Sequence, residues 1–310
     1  VDGVTLTGGG RLMDGGAADA SFEWRDILIT GYTGTAQPLY AYHAASVLVD
    51  RDVTIEDVRV EGLTTANCLQ FRANDLTVRR IYMDDACNKK LLDGLPLDAD
   101  TNAAAVTISD CMLRTYTTQV INARARNNID TNTNVDSKAR VTINIQNNVF
   151  YGNNTDETSN INSLAIQWSS DQTFVKVSDN IFVCTGTPVA NYAAIGLYAA
   201  KNSITGAYCN MANKFVFSRN RFINTPEAFR LGSYSTTALV LDGNYFETAA
   251  GFAASPVFTG SGAAEWYYLD RAMATRSNGE EEDEEIPNNR LFDIENEVRW
   301  IGRTYVGGNG

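Results

Sequence analysis

Histidine is almost missing from this chain: His43 is the only one in 310 residues. A Ser-His-Asp triad and a multi-histidine metal centre each need imidazole in a defined role, so both are all but excluded. His43 itself, in LYAYHAAS, reads as a packed or surface residue. Cysteine is sparse and odd in number. Cys68, Cys87, Cys111, Cys184 and Cys209 are scattered without a C-x-x-C pair, so neither a disulfide framework nor a zinc cluster is implied. Cys184 with Cys209 is the one pair to test for a bridge. No apolar run approaches the roughly 18 residues needed to span a bilayer. The chain starts at Val1 without a recognisable signal peptide, which reads as a processed chain or a fragment. Basic residues are outnumbered, 25 against 37 acidic, giving a net charge of −12 and an isoelectric point near 4.6. That balance argues against a nucleic-acid partner, because little would offset phosphate repulsion. With 44% hydrophobic and 20% charged residues the chain is globular, not disordered.

Proline is also scarce, and its six residues fall mostly outside a repeated pattern. The pattern is apolar, any, apolar, two residues, a fixed position, any, apolar. It reads Phe22-Trp24-Ile27-Ile29, Val53-Ile55-Val58-Val60, Leu76-Val78-Ile81-Met83 and Val106-Ile108-Cys111-Leu113. It continues as Ile143-Ile145-Asn148-Phe150, Val175-Val177-Asn180-Phe182, Phe215-Phe217-Asn220-Phe222 and Leu239-Leu241-Asn244-Phe246. Successive copies begin 31, 23, 30, 37, 32, 40 and 24 residues apart. Within each half the apolar residues alternate with period two, as in a strand. The two extra residues between halves break the alternation and predict a tight corner. Spacings of 0, 2, 5 and 7, rich in β-branched and aromatic residues, do not suit a helix. Unequal steps suit a solenoid whose turns share strands and differ in loops.

The fixed position changes along the chain. Early copies carry Ile27, Val58, Ile81 and Cys111, and later ones Asn148, Asn180, Asn220 and Asn244. Four equivalent asparagines predict an amide ladder at about 4.8 Å spacing, and Asn tolerates the left-handed backbone such a corner needs. Asp110 and Asp179, one residue earlier, read as turn residues. A second strand class precedes each motif: Cys68–Arg72, Gln119–Arg124, Leu164–Trp168, Ala194–Tyr198, Ala228–Leu231 and Pro256–Phe258. Each turn then holds about three strands, and about eight turns make a rod near 40 Å long.

Asn-x-Phe after a Val-x-Val strand, together with the asparagine column and turns of 23 to 40 residues, resembles the pectin-lyase-like right-handed parallel β-helix superfamily over residues 20–260. The resemblance implies an all-β, single-stranded right-handed parallel β-helix of about eight turns over residues 22–262. Residues 1–21 are expected as an N-terminal arm or irregular first turn, and 263–310 as a non-repeat C-terminal cap with the acidic run Glu280–Glu285. That superfamily includes polysaccharide lyases, glycoside hydrolases, phage tail spikes, surface adhesins and non-enzymatic exported proteins, and fold does not choose among them.

Loops on rigid scaffolds carry variable chemistry, and the long insertions are 84–104, 125–140, 151–163 and 183–213. Asn153-Asn154-Thr155 is a formal glycosylation sequon. On the strand preceding the motif the outward positions read Gln70, Arg72, Asn122, Arg124, Gln167 and Arg230. Forked guanidinium donors suit the carboxylates or sulfates of an acidic glycan, and Trp168 and Tyr198 are at hand to stack on sugar rings. Ordinary surface polarity explains the same residues without a ligand. The loop Asp84-Asp85-Ala86-Cys87-Asn88-Lys89-Lys90, followed by Asp93, Asp98 and Asp100, is the second candidate. Pectate-lyase-like enzymes hold Ca²⁺ against the uronate with carboxylates and use a Lys or Arg as base, which makes Asp84 and Asp85 calcium candidates. No motif of a named lyase is matched residue by residue. A hydrolase needs two facing carboxylates, and none of Asp110, Asp179, Asp242 and Glu247 forms a recognisable pair. The expected function is therefore extracellular recognition, extending in an enzyme to cleavage, of an acidic polysaccharide. The alternative is a non-enzymatic structural or adhesive protein: a tail-spike segment, a surface adhesin or a subunit of an extracellular assembly, with a homotrimer or larger assembly as its expected state.

Overall fold

The computed structural model of the chain describes residues 1–13, 21–41, 52–71, 73–89, 91–92, 95–98, 104–115, 121–126, 137–152, 161–168, 170–187, 192–199, 213–231, 237–248, 258–260, 266–273 and 303–304. These residues contain strands and no helix. In chain order the strands are β1 (Asp2–Gly8), β2 (Leu12–Met13), β3 (Phe22–Tyr32), β4 (Leu39–Ala41), β5 (Asp52–Glu61), β6 (Leu69–Phe71), β7 (Asp75–Met83) and β8 (Leu95–Asp98). They continue with β9 (Ala104–Ser109), β10 (Met112–Thr115), β11 (Ile121–Arg126), β12 (Ser137–Gln146), β13 (Val149–Gly152), β14 (Ile161–Trp168), β15 (Ser170–Ser178) and β16 (Ile181–Cys184). The remainder are β17 (Tyr192–Ala199), β18 (Asn213–Ser218), β19 (Arg221–Thr225), β20 (Glu227–Leu231), β21 (Thr237–Thr248), β22 (Phe258–Gly260), β23 (Trp266–Met273) and β24 (Arg303–Thr304).

All pairings among these strands are parallel. The largest sheet has 15 strands and follows the order β1-β3-β5-β7-β10-β13-β16-β19-β21-β18-β15-β12-β9, with β23 on β21 and β24 on β23. A six-stranded sheet runs β22-β20-β17-β14-β11-β8, and a three-stranded one runs β2-β4-β6. The repeat read from sequence becomes the register of the large sheet. Phe22 pairs with Val53, Val53 with Leu76, and Leu76 with Val106. In the later copies Ile143 pairs with Val175, Val175 with Phe215, and Phe215 with Leu239. Phe22 is half-buried; the other apolar motif residues whose side chains are described are buried and form one continuous core with Leu164, Ile166, Ile195 and Phe229 of the six-stranded sheet. Where the motif ends in phenylalanine the rings stack: Phe150 on Phe182 at 4.7 Å, Phe182 on Phe222 at 5.2 Å, and Phe222 on Phe246 at 5.1 Å between centroids.

The asparagine column forms the predicted ladder. Asn148 Nδ2 donates to Asn180 Oδ1 at 3.0 Å, Asn180 Nδ2 to Asn220 Oδ1 at 3.0 Å, and Asn220 Nδ2 to Asn244 Oδ1 at 2.9 Å. The same oxygens accept the backbone N–H of the preceding copy, from Cys111 N to Asn148 Oδ1 through Asn220 N to Asn244 Oδ1. All four side chains are buried, so each amide satisfies a corner that water does not reach. One expectation is corrected. The asparagines do not take the left-handed backbone themselves; the residue before each fixed position does. Asp26, Asp57, Arg80, Asp110, Asn147, Asp179, Arg219 and Gly243 have φ between 50° and 61°. The left-handed residue is exposed or half-buried, and the next one points inward, where in the four later copies an amide bridges neighbours.

Residues 1–21 hold β1, whose Val4 and Leu6 stand in register with Ile27 and Ile29, and Gly3 has φ 67° at the corner position. Beyond residue 262, β23 continues the large sheet in parallel on β21. The region 84–104, expected as an insertion, contains β8.

Candidate functional site

The residues proposed from sequence to face a ligand fall on two sheets. Gln70 is half-buried on β6 of the three-stranded sheet, paired with Tyr40. Asn122, Arg124, Gln167 and Arg230 all belong to the six-stranded sheet. Arg124 is the direct register partner of Gln167, which is in turn the partner of Tyr198. Asn122 pairs with Ala165, Ala165 with Gly196, and Gly196 with Arg230. The intervening positions, Leu164, Ile166, Ile195 and Phe229, belong to the buried core. Topology thus gathers these four residues on alternate positions of neighbouring strands and sets Gln70 apart. Arg72 lies outside the described residues, as do His43, Lys90, Asp93, Asp100, the sequon and the acidic run.

In the aspartate loop the contacts of Asp84 are structural. Asp84 Oδ1 accepts the backbone N–H groups of Gly62 at 3.0 Å and Ala86 at 3.2 Å, and faces Cys87 Sγ at 3.2 Å. The carboxylate closes a turn between two copies of the repeat. Asp85 is exposed beside it. Calcium takes six to eight oxygen ligands, and no group of three or more His, Cys, Asp or Glu gathers for a metal among the described residues. Asp110 and Asp179 sit at left-handed corners, as their positions before the fixed residue imply. Cys184 is a buried free thiol, while Cys209 lies outside the described residues. No helix among the described residues is long and apolar enough to cross a membrane.

Sequence reading missed a charged cluster at the other end of the repeat. Glu56 is an outward-pattern residue, yet its side chain is only 3% exposed, because three arginines close over it. Arg25 Nε lies 2.7 Å from Oε1, Arg80 Nη2 donates to Oε2 at 2.9 Å, and Arg79 Nε makes a short contact with the same oxygen. Arg80 also grips Asp57 with both nitrogens, at 2.7 and 2.8 Å. Donation by Arg79 leads the causes that hold the Glu56 carboxyl below the usual range, and donation by Arg80 does the same for Asp57. The signal was present: aligned repeats place Arg25, Glu56 and Arg79 in one column of alternating sign. A further outward column stacks Arg59 over Tyr82, and Arg221 over Tyr245.

Compared with models of known protein families, with curated proteins and with solved structures, the chain gives no match.

Proposed function

We propose that the chain is a right-handed parallel β-helix of the pectin-lyase-like kind, of about eight turns, that recognises an acidic polysaccharide outside the cell. The reading rests on one observation above all. Arg124 and Gln167 are side-by-side partners, and Asn122 and Arg230 share a register column, within one six-stranded parallel sheet. Alternation sets these positions opposite the buried residues of the same strands. Neighbouring strands lie about 4.8 Å apart, so Arg230 is about 14 Å across the sheet from the strand that carries Arg124. Two arginines on strands that far apart, with amide residues on the same sheet, suit a polymer that presents carboxylates at intervals. On a chain of net charge −12, arginines on one face are a local departure from the mean.

The test is calorimetric titration with polygalacturonate at low ionic strength, beside an uncharged glucan. Binding to the acidic polymer, weakened roughly tenfold by Arg124→Ala and again by Arg230→Ala, supports the reading; loss of one charge-assisted contact is worth about that much. Equal affinity for both polymers, or affinity unchanged in both variants, ends it. Release of unsaturated uronate product in the same mixture would add cleavage to recognition.

A further inference from the structure

We infer that two copies of this chain pair face to face about a two-fold axis, through the outer face of the strand segments that follow the corner in β5, β7, β10, β13, β16, β19 and β21. The inference does not rest on the glycan reading, which uses the six-stranded sheet. It starts from one outward column of the large sheet. Arg59 pairs with Tyr82, Tyr82 with Met112, Met112 with Val149, Val149 with Ile181, Ile181 with Arg221, and Arg221 with Tyr245. Each alternates with a buried neighbour, from Val60 beside Arg59 to Phe246 beside Tyr245, so the column points away from the core. Arg59, Tyr82 and Arg221 are exposed, Tyr82 by 39%, and the other four are half-buried. The adjoining outward column, Arg114, Tyr151, Val183 and Ile223, is half-buried as well. Across the corner the same sheet is polar outside: one column there reads Thr54, Thr77, Thr107, Asn144 and Lys176. Tyrosine, methionine and arginine set among aliphatic side chains are the composition of a protein interface centre.

The order of the column points to a second copy as the occupant. Read outward from Val149 in both directions, the column is complementary to its own reverse. Met112 answers Ile181, Tyr82 answers Arg221, and Arg59 answers Tyr245. A two-fold axis along the strand direction through Val149 sets these residues against one another, as an isologous contact requires. Val149 then meets its own copy, with Met112 and Ile181 beside it as an apolar centre. At each end an Arg59–Tyr82 stack meets an Arg221–Tyr245 stack, both already 5.3 Å from guanidinium to ring, so that each guanidinium gains a second ring. The charges balance there. Arg59 with Glu61, ion-paired at 2.6 Å, comes from one copy, and Arg221 with Glu247 from the other. Seven strands at about 4.8 Å span about 29 Å, and four residues of strand span about 13 Å. That footprint is at the low end for a specific interface, so a micromolar dissociation constant is expected.

The measurement is solution mass by sedimentation and light scattering across a concentration series of the 310-residue chain. Mass should rise from 33.9 kDa to twice that value and stop, because an isologous contact closes. Val149→Asp should weaken association roughly a hundredfold or more, since two carboxylates then meet on the axis. A mass that stays single up to about 1 mM, growth beyond two copies, or a Val149→Asp variant that pairs like the parent would each overturn the inference. A second measurement leaves the proposed Arg, Tyr and apolar contacts in place. Glu61→Cys mixed with Glu247→Cys should join through a short bis-maleimide able to cross sheets about 10 Å apart, whereas each variant alone should give no more joined product than the parent chain. Joining within either variant alone, or none in the mixture, would overturn the two-fold arrangement.

Discussion

At the scale of single residues, the corner of each repeat divides its work between two adjacent positions. The first accepts a left-handed φ and stays near the surface, so its identity is loose: aspartate, asparagine, arginine and glycine all occur there. The second is buried and carries the bridge. This explains why the asparagine column was legible in sequence through all four later copies, whereas at the strained position only Asp110 and Asp179 read as turn residues. A buried amide has few substitutes, whereas a left-handed corner costs only about 1–2 kcal/mol for an ordinary side chain and constrains its chemistry weakly. Asn220→Ala removes the acceptor for both Asn180 N and Asn180 Nδ2, leaving two buried donors without it. Unfolding in urea should show a loss of about 3 kcal/mol or more; a loss under about 1 kcal/mol would mean that water or relaxation replaces the ladder. The thiols give a second prediction. Burial raises Cys87 and Cys111 to about 12 and Cys184 to about 11, and raises Cys68 as well. At pH 8 the native protein should leave all four unalkylated by iodoacetamide and expose them only in denaturant. Rapid native labelling of any of them, located by peptide mass, would contradict the packing.

At the scale of strands, the apolar repeat fixed register because a parallel sheet with one buried face reports its pleat directly in the sequence. Strands β3, β5, β7, β9, β12, β15, β18 and β21 all contain the first apolar pair of a motif copy. The short strands β2, β4 and β8 lacked that signal. Two to four residues give no periodicity to count, and Pro96 within β8 argued for a loop. Pairing from neighbouring copies holds them in place where local propensity does not. The phenylalanine stack shows what register adds beyond burial. Phe182 lies between Phe150 and Phe222 with ring planes within 6° of parallel. Phe182→Ala deletes the middle ring of a fully buried column and should cost about 3–5 kcal/mol in chemical denaturation, whereas Phe182→Leu should cost less than half of that. Equal losses for the two would show that the ring itself, and not the volume it fills, is what the column contributes.

At the scale of the whole molecule, the chain joins two kinds of lateral bond: neutral amides in the later repeats and ion pairs in the earlier ones. Each copy touches only its neighbours, so stability is local and the two regions need not respond alike to pH. Glu56 and Asp57 are held below the usual carboxylate range chiefly by arginine donors, so their stabilisation is complete above the unfolded-state pKa values near 4. It is lost as pH falls through the lowered folded-state values. Asp26 works the other way: its raised folded-state pKa means that the protonated carboxyl is favoured, first by a hydrogen bond with Asp2 and then by relief of repulsion from it, and that stabilisation disappears as pH rises through the raised value. Among the described residues of this region one carboxyl gains on acidification, against two gripped by arginines, so the early repeats lose on balance. In the later repeats Asp179, paired with Arg219 at 2.7 Å, is the carboxyl held below the usual range among the described residues, and the ladder beside it does not titrate. Hydrogen exchange followed by peptide mass during acidification below about pH 4 should therefore release β3, β5 and β7 before β13, β16 and β19. Glu56→Gln should bring that early release toward neutral pH, because a neutral amide leaves three guanidiniums facing one another. Simultaneous release of both regions, or an unshifted profile in the variant, would mean that the repeats unfold as one unit and that the arginine cluster is not what sets the acid limit.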